Sequence, residues 1–264
     1  MTALKPGILG GRIVLVSGGT QGVGAAVART AAACGADAVV VTGRRTEVAE
    51  PLMDELDVLG TEPFFIRTDV SDVEQAMASV ESVVEEFGRV DCVVNAAGLV
   101  DRGSLLDTTP ELFDRHIAIN LRGPFFIMQA AVKDMVRRGA PGTIVNVITL
   151  TEHAGQSFLA PYAAAKGGLA TLTRNAAHAH RWDRIRINGL NIGWTATEGE
   201  DAVQRAFHGA EDGWLDAAAA RLPAGRLADP AQIADMIVYL LSDASGIVTG
   251  SVIDWDQNVI GALD

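Results

Sequence analysis

The segment Ser17-Gly18-Gly19-Thr20-Gln21-Gly22-Val23-Gly24 constrains this chain more than any other. It follows a short β-branched run, Arg12 to Ser17, and leads into an alanine-rich helical stretch from Gly22 to Cys34. A strand that enters a helix through so many glycines is a turn at the least. In that position it is also suited to phosphate: Gly18 permits the tight turn, Gly22 lets backbone approach a pyrophosphate, and Gly24 allows close packing of helix on sheet. The helix N-terminus adds free N–H groups and partial positive charge.

The strand–helix unit then recurs. Asp37 to Thr42 precedes a helix near 46–59, Pro63 to Arg67 one near 72–87, and Val90 to Asn95 reads as a fourth strand. A long helical region near 110–138, a strand Thr143 to Ile148, a helix near 161–181, a strand Arg186 to Ile192, a helix near 230–241 and a strand Ser251 to Asp254 follow. Continuous apolar strands alternating with amphipathic helices predict an α/β fold, a doubly wound parallel sheet in three α/β/α layers with ligands at the carboxyl ends of the strands. With 264 residues, 48% of them hydrophobic, and no linker or repeat, one domain spanning 1–264 is expected. The polar, less regular stretch Thr197 to Leu222 reads as an insertion that could act as a lid over a site.

Charge narrows the partners. Asp plus Glu exceed Lys plus Arg by 33 to 21, and a net charge of −12 repels nucleic acid and anionic lipid surfaces. Neither a secretory h-region near the N-terminus nor an apolar run of the roughly 18 residues needed for a membrane span is visible. Cys34 and Cys92 form no CxxC or metal-ligand spacing and read as reduced core thiols, as in a cytoplasmic protein.

Gly18, Gly22 and Gly24 are spaced as in TGxxxGxG, and Tyr162-Ala163-Ala164-Ala165-Lys166 gives YxxxK on an expected helix, where residues four apart share a face. With these motifs the chain resembles the short-chain dehydrogenase/reductases, single-domain Rossmann-fold enzymes, from about residue 10 to its C-terminus. Ser17 stands for the family's first Thr and keeps the hydroxyl. The resemblance implies an oxidoreductase that moves a hydride between a nicotinamide dinucleotide and an alcohol/carbonyl pair. It assigns Ser17, Gly18, Thr20, Gln21, Gly22, Val23 and Gly24 to the cofactor.

Cofactor choice is read at the end of the second strand, where a carboxylate would bind the ribose 2′-OH of NAD and repel a 2′-phosphate. The chain has Val41-Thr42-Gly43-Arg44-Arg45 there. Two guanidinium groups and no acid favour NADP(H), with NAD(H) still admissible; solvated loop arginines are the alternative. Asp69-Val70 resembles the family's adenine contact. Asn95-Ala96-Ala97-Gly98 resembles its NNAG segment, with Ala96 for the second Asn.

By the same resemblance Tyr162 is the acid/base, and Lys166 favours its phenolate and holds the nicotinamide ribose. The family's serine position, thirteen residues before the tyrosine, holds Thr149, whose hydroxyl can polarise a substrate carbonyl while its methyl crowds the pocket; Thr151 is a second candidate for that hydroxyl. Asn120 matches the asparagine that holds a water of a proton relay, or is a satisfied buried asparagine. Ile192-Gly193-Trp194-Thr195-Ala196-Thr197 replaces the PGxxxT segment, with Ile192 for Pro; Gly193, Thr195 and Thr197 would pass by the nicotinamide.

Thr151, His153 and Trp194 are expected on the substrate wall, with Glu152, Gln156, Glu198, Glu200, His208 and Trp214 near them. The mixture of polar groups and indoles suggests a small sugar or polyol. No metal is expected, since the histidines and acids show no coordinating spacing. The apolar faces of the helices near 110–138 and 161–181 resemble those through which the family forms homotetramers or homodimers. A catalytically silent dinucleotide-binding sensor or scaffold is the rival reading, prompted by Thr149 and Ile192. A sugar-nucleotide epimerase shares YxxxK but usually has a longer chain and a different glycine spacing.

Overall fold

The structure is a computed structural model that describes residues 2–153 and 155–259. Along the chain come β1 (Ile13–Ser17), α1 (Gly22–Ala33), β2 (Ala38–Gly43), α2 (Thr46–Val58), β3 (Glu62–Arg67), α3 (Val73–Phe87), β4 (Cys92–Asn95) and α4 (Pro110–Ile117). There follow a π turn (Ala118–Arg122), α5 (Gly123–Arg138), β5 (Gly142–Thr149), α6 (Ala160–His180), β6 (Ile185–Ile192), α7 (Glu198–His208), α8 (Trp214–Ala219), α9 (Pro230–Leu241) and β7 (Val252–Trp255).

The sheet has seven strands in the order β3-β2-β1-β4-β5-β6-β7, and every pairing is parallel. Chain direction across the sheet reverses between β1 and β4, which opens a crevice at their carboxyl ends. The central strands are buried throughout, which is why they read as unbroken Val/Ile runs rather than alternating ones. One face packs α1, α2 and α9 onto side chains such as Val14, Val39 and Val145; the other packs α3, α5 and α6 onto Leu15, Val93 and Ile144. Each fully buried Leu or Ile side chain contributes about 1.5–3 kcal/mol through removal of apolar surface from water.

Register aligns the strand ends that form the site. Ser17 is level with Asn95, Asn95 with Asn146, and Thr149 with Ile192. Inside the sheet Asn95 Nδ2 donates to Asn146 Oδ1 (2.8 Å) and Asn146 Nδ2 to Thr173 Oγ1 of α6 (2.8 Å). This polar thread fixes α6 against the sheet.

Two stretches differ from expectation. The helical region near 110–138 is broken by the π turn that contains Asn120. The 197–222 stretch, expected to be irregular, forms α7 and α8. Thr197 caps α7 at the Glu200 N–H, acids occupy its first turn, Arg205 pairs with Asp201 one turn back, and Gly209 ends it in the left-handed region. These local signals suffice for a helix that buries none of its residues, and apolar periodicity does not register them.

Among the described residues, no helix is long and apolar enough to cross a membrane, and no group of three or more His, Cys, Asp or Glu could hold a metal ion.

Candidate active site

The glycine loop is pinned from both sides. Gly19 N–H donates to Thr42 O (3.1 Å) and Ala96 N–H to Ser17 O (2.9 Å), tying it to β2 and to the segment after β4. A Cβ on Gly24 would lie 2.1 Å from Gly18 O, and one on Gly18, whose φ is +73°, would lie 2.6 Å from the Ala97 backbone. Helix, loop and β4 therefore meet backbone to backbone. Gly22 faces the root of the α7 segment, where a Cβ would lie 3.6 Å from the Thr197 side chain. The crevice thus runs between the start of α1 and Thr197.

Two buried polar atoms at the ends of β1 and β4, Ser17 Oγ and Asn95 Oδ1, have no hydrogen-bond partner among the described residues. Orphaned acceptors at strand ends, beside a helix N-terminus, fit a hydroxyl-bearing dinucleotide. Arg44 and Arg45 are exposed beyond β2; Arg45 Nη2 donates to Gln21 Oε1 (3.4 Å), while Arg67 at the end of β3 donates from Nε to Arg44 O (3.2 Å). Arg67 adds a third guanidinium to this corner. Asp69 Oδ1 accepts from Ser71 N–H (2.9 Å) and Oγ (2.7 Å), shaping the turn beside the buried Val70.

Tyr162 and Lys166 stand on one face of α6. Lys166 is 3% exposed; its Nζ lies 6.0 Å from the Tyr162 ring centroid and donates to Val147 O (2.7 Å). Burial pushes the lysine down to about 8 and the tyrosine up to about 12. The Thr149 hydroxyl and the Arg102 guanidinium oppose the latter shift, favouring phenolate, whereas the Glu200 charge adds to it. Thr151 sits beside Thr149, with its N–H and Oγ1 both 3.3 Å from Thr149 Oγ1, so the two hydroxyls form one patch.

Asn120 is fully buried and all its amide contacts are used. Oδ1 accepts from Leu99 N–H (2.9 Å), and Nδ2 donates to Leu99 O (2.9 Å) and His116 Nδ1 (3.1 Å). It therefore locks the Asn95-Ala96-Ala97-Gly98 segment onto the π turn. His116, absent from the sequence reading, is fully buried, places Nε2 3.1 Å from Asp101 O, and meets the Tyr162 ring edge-on at 6.1 Å between centroids. Its pKa is lowered by burial, so the ring stays neutral with the proton on Nε2. Its spacing of four before Asn120 was the available signal.

Along the segment after β6, Ile192 ends the strand, a Cβ on Gly193 would lie 2.7 Å from Asp256 Cβ, and Thr195 Oγ1 donates to Gly193 O (2.8 Å). Trp194 is 37% exposed, donates to Glu200 Oε1 (2.7 Å) and faces Trp214 at 6.0 Å. His153 points elsewhere: its Nε2 lies 2.9 Å from Asp254 Oδ1 and 3.2 Å from Asn191 Nδ2, at the β6–β7 edge. Arg102, also missed, reaches from the β4–α4 loop to α7, its Nε donating to His208 Nε2 (3.0 Å). It lies in a loop without periodicity, where sequence spacing carries no contact information.

A family model described as enoyl-(acyl carrier protein) reductase matches residues 18–257. The chain is 33% identical, over 93% of its length and 95% of the relative's, to an L-rhamnose 1-dehydrogenase (NAD(P)(+)) of a Sphingomonas species. It is 30% identical, over 96% of its length and 94% of the relative's, to a 2-dehydro-3-deoxy-D-gluconate 5-dehydrogenase of Formosa agariphila. Among solved structures it is similar to a variant actinorhodin polyketide ketoreductase crystallised with NADPH, with a TM-score of 0.87 and 29% identity over 93% of this chain and 96% of that one.

Proposed function

The chain belongs to the short-chain dehydrogenase/reductase family and is an NAD(P)-dependent oxidoreductase acting on CH–OH groups; from that premise we propose that NADP(H) is its preferred cofactor, Tyr162 its acid/base and a small sugar or polyol its substrate. The observation that carries this reading is the meeting of Tyr162, Lys166 and Thr149 at the strand ends, opposite the glycine cradle.

The nicotinamide, when bound, supplies the acceptor or donor of the hydride. The remaining work falls to this chain. Thr149 and Tyr162 bind the substrate oxygen, and as the C–H hydride leaves an alcohol, the phenolate takes the O–H proton and C=O forms. Lys166 has one protein acceptor, Val147 O, so its other N–H groups are available to ribose hydroxyls or a water that passes the proton outward. Asn120 and His116 hold the π turn and the β4 end in place. Ser17, Thr20, Gln21, Gly22, Val23 and Gly24 cradle the pyrophosphate, Asp69 and Val70 flank the adenine, and Gly193, Thr195 and Thr197 line the nicotinamide side. Arg44, with Arg45 and Arg67 beside it, takes the 2′-phosphate.

Two of the relatives are named for L-rhamnose and 2-dehydro-3-deoxy-D-gluconate, which supports the sugar or polyol reading, and the indole pair at Trp194 and Trp214 supplies apolar faces for such rings. The α7–α8 segment serves as the lid. A homotetramer is the proposed assembly; Phe113, Phe125 and Val136 on α4 and α5 offer exposed apolar surface for it. A cytoplasmic location fits the two free, buried cysteines, whose thiols are pushed up by burial.

Calorimetric titration with NADPH and NADH, followed by turnover assays on sugars and polyols, tests the reading. Tight NADPH binding with turnover is expected. Binding without turnover across the panel favours the silent sensor, and binding of neither cofactor overturns the proposal. Arg44→Asp should weaken NADPH binding about ten- to hundredfold while leaving NADH nearly untouched, the loss of a charge-assisted contact; equal effects on both would make Arg44 a surface charge only.

A further inference from the structure

Arg102 is a cation whose position the protein fixes without a direct ion pair among the described residues, although Glu200 and Asp101 lie close enough for their charges to act on it. Its Nε donates to His208 Nε2 (3.0 Å), its Nη1 donates to Val100 O (2.8 Å), and its Cζ lies 5.5 Å from the Phe158 ring centroid. Phe158 in turn stacks edge-on against His208 at 5.2 Å. None of these partners is a carboxylate, and Nη2 has no hydrogen-bond partner among the described residues.

The acids in the neighbourhood are engaged elsewhere. Asp101 pairs with Arg115 (3.1 Å), and Glu200 Oε1 accepts from Trp194 Nε1 (2.7 Å) and Gln204 Nε2 (2.7 Å). Among the described residues no carboxylate lies within 4.0 Å of the Arg102 guanidinium, although acids outnumber bases 33 to 21 in this chain. Removing an arginine's charge from water without a counter-ion is costly, and Arg186, the other half-buried arginine without an ion pair, offsets that cost with bonds to Ser242 O, Ser245 Oγ and Val248 O, whereas Arg102 leaves Nη2 unused. Its neighbour Gly103 bridges Leu159 and accepts from Ala160 N–H (3.0 Å), which places this arginine beside the start of α6, where Tyr162 stands.

We propose that Arg102 anchors a carboxylate of the substrate, so that the alcohol handled here is a hydroxylated acid, such as a sugar acid, rather than a neutral polyol. The proposal rests on the reading of Tyr162 as acid/base and refines it. With Nε and Nη1 held and the stem braced on Phe158, the guanidinium presents Nη2 in a fixed direction, so little ordering is lost when an anion arrives.

Matched pairs test this: gluconate against glucitol, and 4-hydroxycyclohexanecarboxylate against its carboxamide, each oxidised with NADP+. The acid of each pair should have the higher kcat/KM, and Arg102→Gln should lower that preference about ten- to hundredfold, mostly through KM. Arg102→Lys should recover part of the preference because the charge returns. His208→Ala frees Nε but leaves the charge, so it should lower the preference less than Arg102→Gln does. Independently of turnover, cyclohexanecarboxylate, benzoate and acetate are titrated into the NADP+-saturated protein; at least one should bind, and Arg102→Gln should weaken it at least tenfold. Equal use of acid and neutral partners, unchanged acid binding in Arg102→Gln, or no binding of any of the three acids overturns the proposal. Turnover of neutral alcohols without acid preference would do so while leaving the oxidoreductase reading intact; failure to bind either nicotinamide cofactor would remove both.

Discussion

The two walls of the cleft are built in opposite ways. On the cradle side, α1, the glycine loop and the β4 end touch through backbone, at distances that leave no room for a side chain. On the proposed lid side, backbone pairing is confined to the flanks, where Thr195 bridges Ala228, and α7 and α8 themselves are held by side chains: Trp214 Nε1 to Asp201 Oδ1 (2.7 Å), Trp194 Nε1 to Glu200 Oε1 (2.7 Å) and Arg102 to His208. Backbone contacts serve any dinucleotide and constrain the sequence to glycine. Side-chain contacts can be exchanged one at a time, which is how a common scaffold acquires different substrates.

The catalytic pair lies between the walls and should show the largest effect. Tyr162→Phe removes the group that exchanges the proton and should lower kcat by about 10²–10⁴-fold while NADPH affinity, measured calorimetrically, is preserved. Wild-type turnover in this variant would disconnect both walls from the proposed chemistry. Gly24→Ala comes next. A methyl group 2.1 Å from Gly18 O forces the loop away from the helix, and the expected cost is at least about 1–3 kcal/mol of stability together with weaker NADPH binding. Unchanged melting temperature and affinity would show that the cradle is soft.

Lys166 provides a test through pH. Its pKa in the folded protein is pushed down to about 8 by burial from an ordinary 10.5. Between those values the unfolded chain carries a proton that the folded chain lacks, so stability rises with pH by up to about 1.4 kcal/mol per pH unit. Chemical denaturation of the cofactor-free protein between pH 8 and 9 should show this rise in wild type and lose it in Lys166→Met. The window closes near pH 9, where the raised Cys92 thiol begins to act in the opposite sense, joined near pH 10 by Tyr162. Parallel pH profiles for wild type and variant would mean that Lys166 keeps its proton throughout.

Sequence legibility divides along the same line as the walls. Gly18 and Gly24 were readable because a backbone approach excludes every other residue type, Gly22 because its φ of +53° favours glycine, and the buried parallel strands because both their faces are apolar. Tyr162 and Lys166 were readable because one helix carries both, four residues apart. Arg102, His116 and Arg67 were not identified. Arg102 meets α7 across more than a hundred residues of sequence, and His116 acts through a π turn that shifts the register of its neighbours. The α7 helix was read as an irregular insertion because it is stabilised by its cap, its charges and its contacts, and contributes no buried residue that a hydrophobic period could reveal.

The smallest expected effect therefore falls on the lid. Trp214→Phe deletes the indole N–H bond to Asp201 and keeps an aromatic face toward Trp194, a loss of about 0.5–1.5 kcal/mol in lid closure. Because α7 buries no residue and α8 buries only Ala218, the core is indifferent to it. Substrate KM should rise about two- to tenfold, by the same energy, with kcat and NADPH affinity little altered and the melting temperature within about 1 °C of wild type. The contrast with Gly24→Ala is the informative part: the cradle change should move stability and cofactor together, the lid change only the substrate. If Trp214→Phe lowers the melting temperature as far as Gly24→Ala does, α7 and α8 are part of the folded core, and the difference between the two walls is one of sequence pattern rather than of energetics.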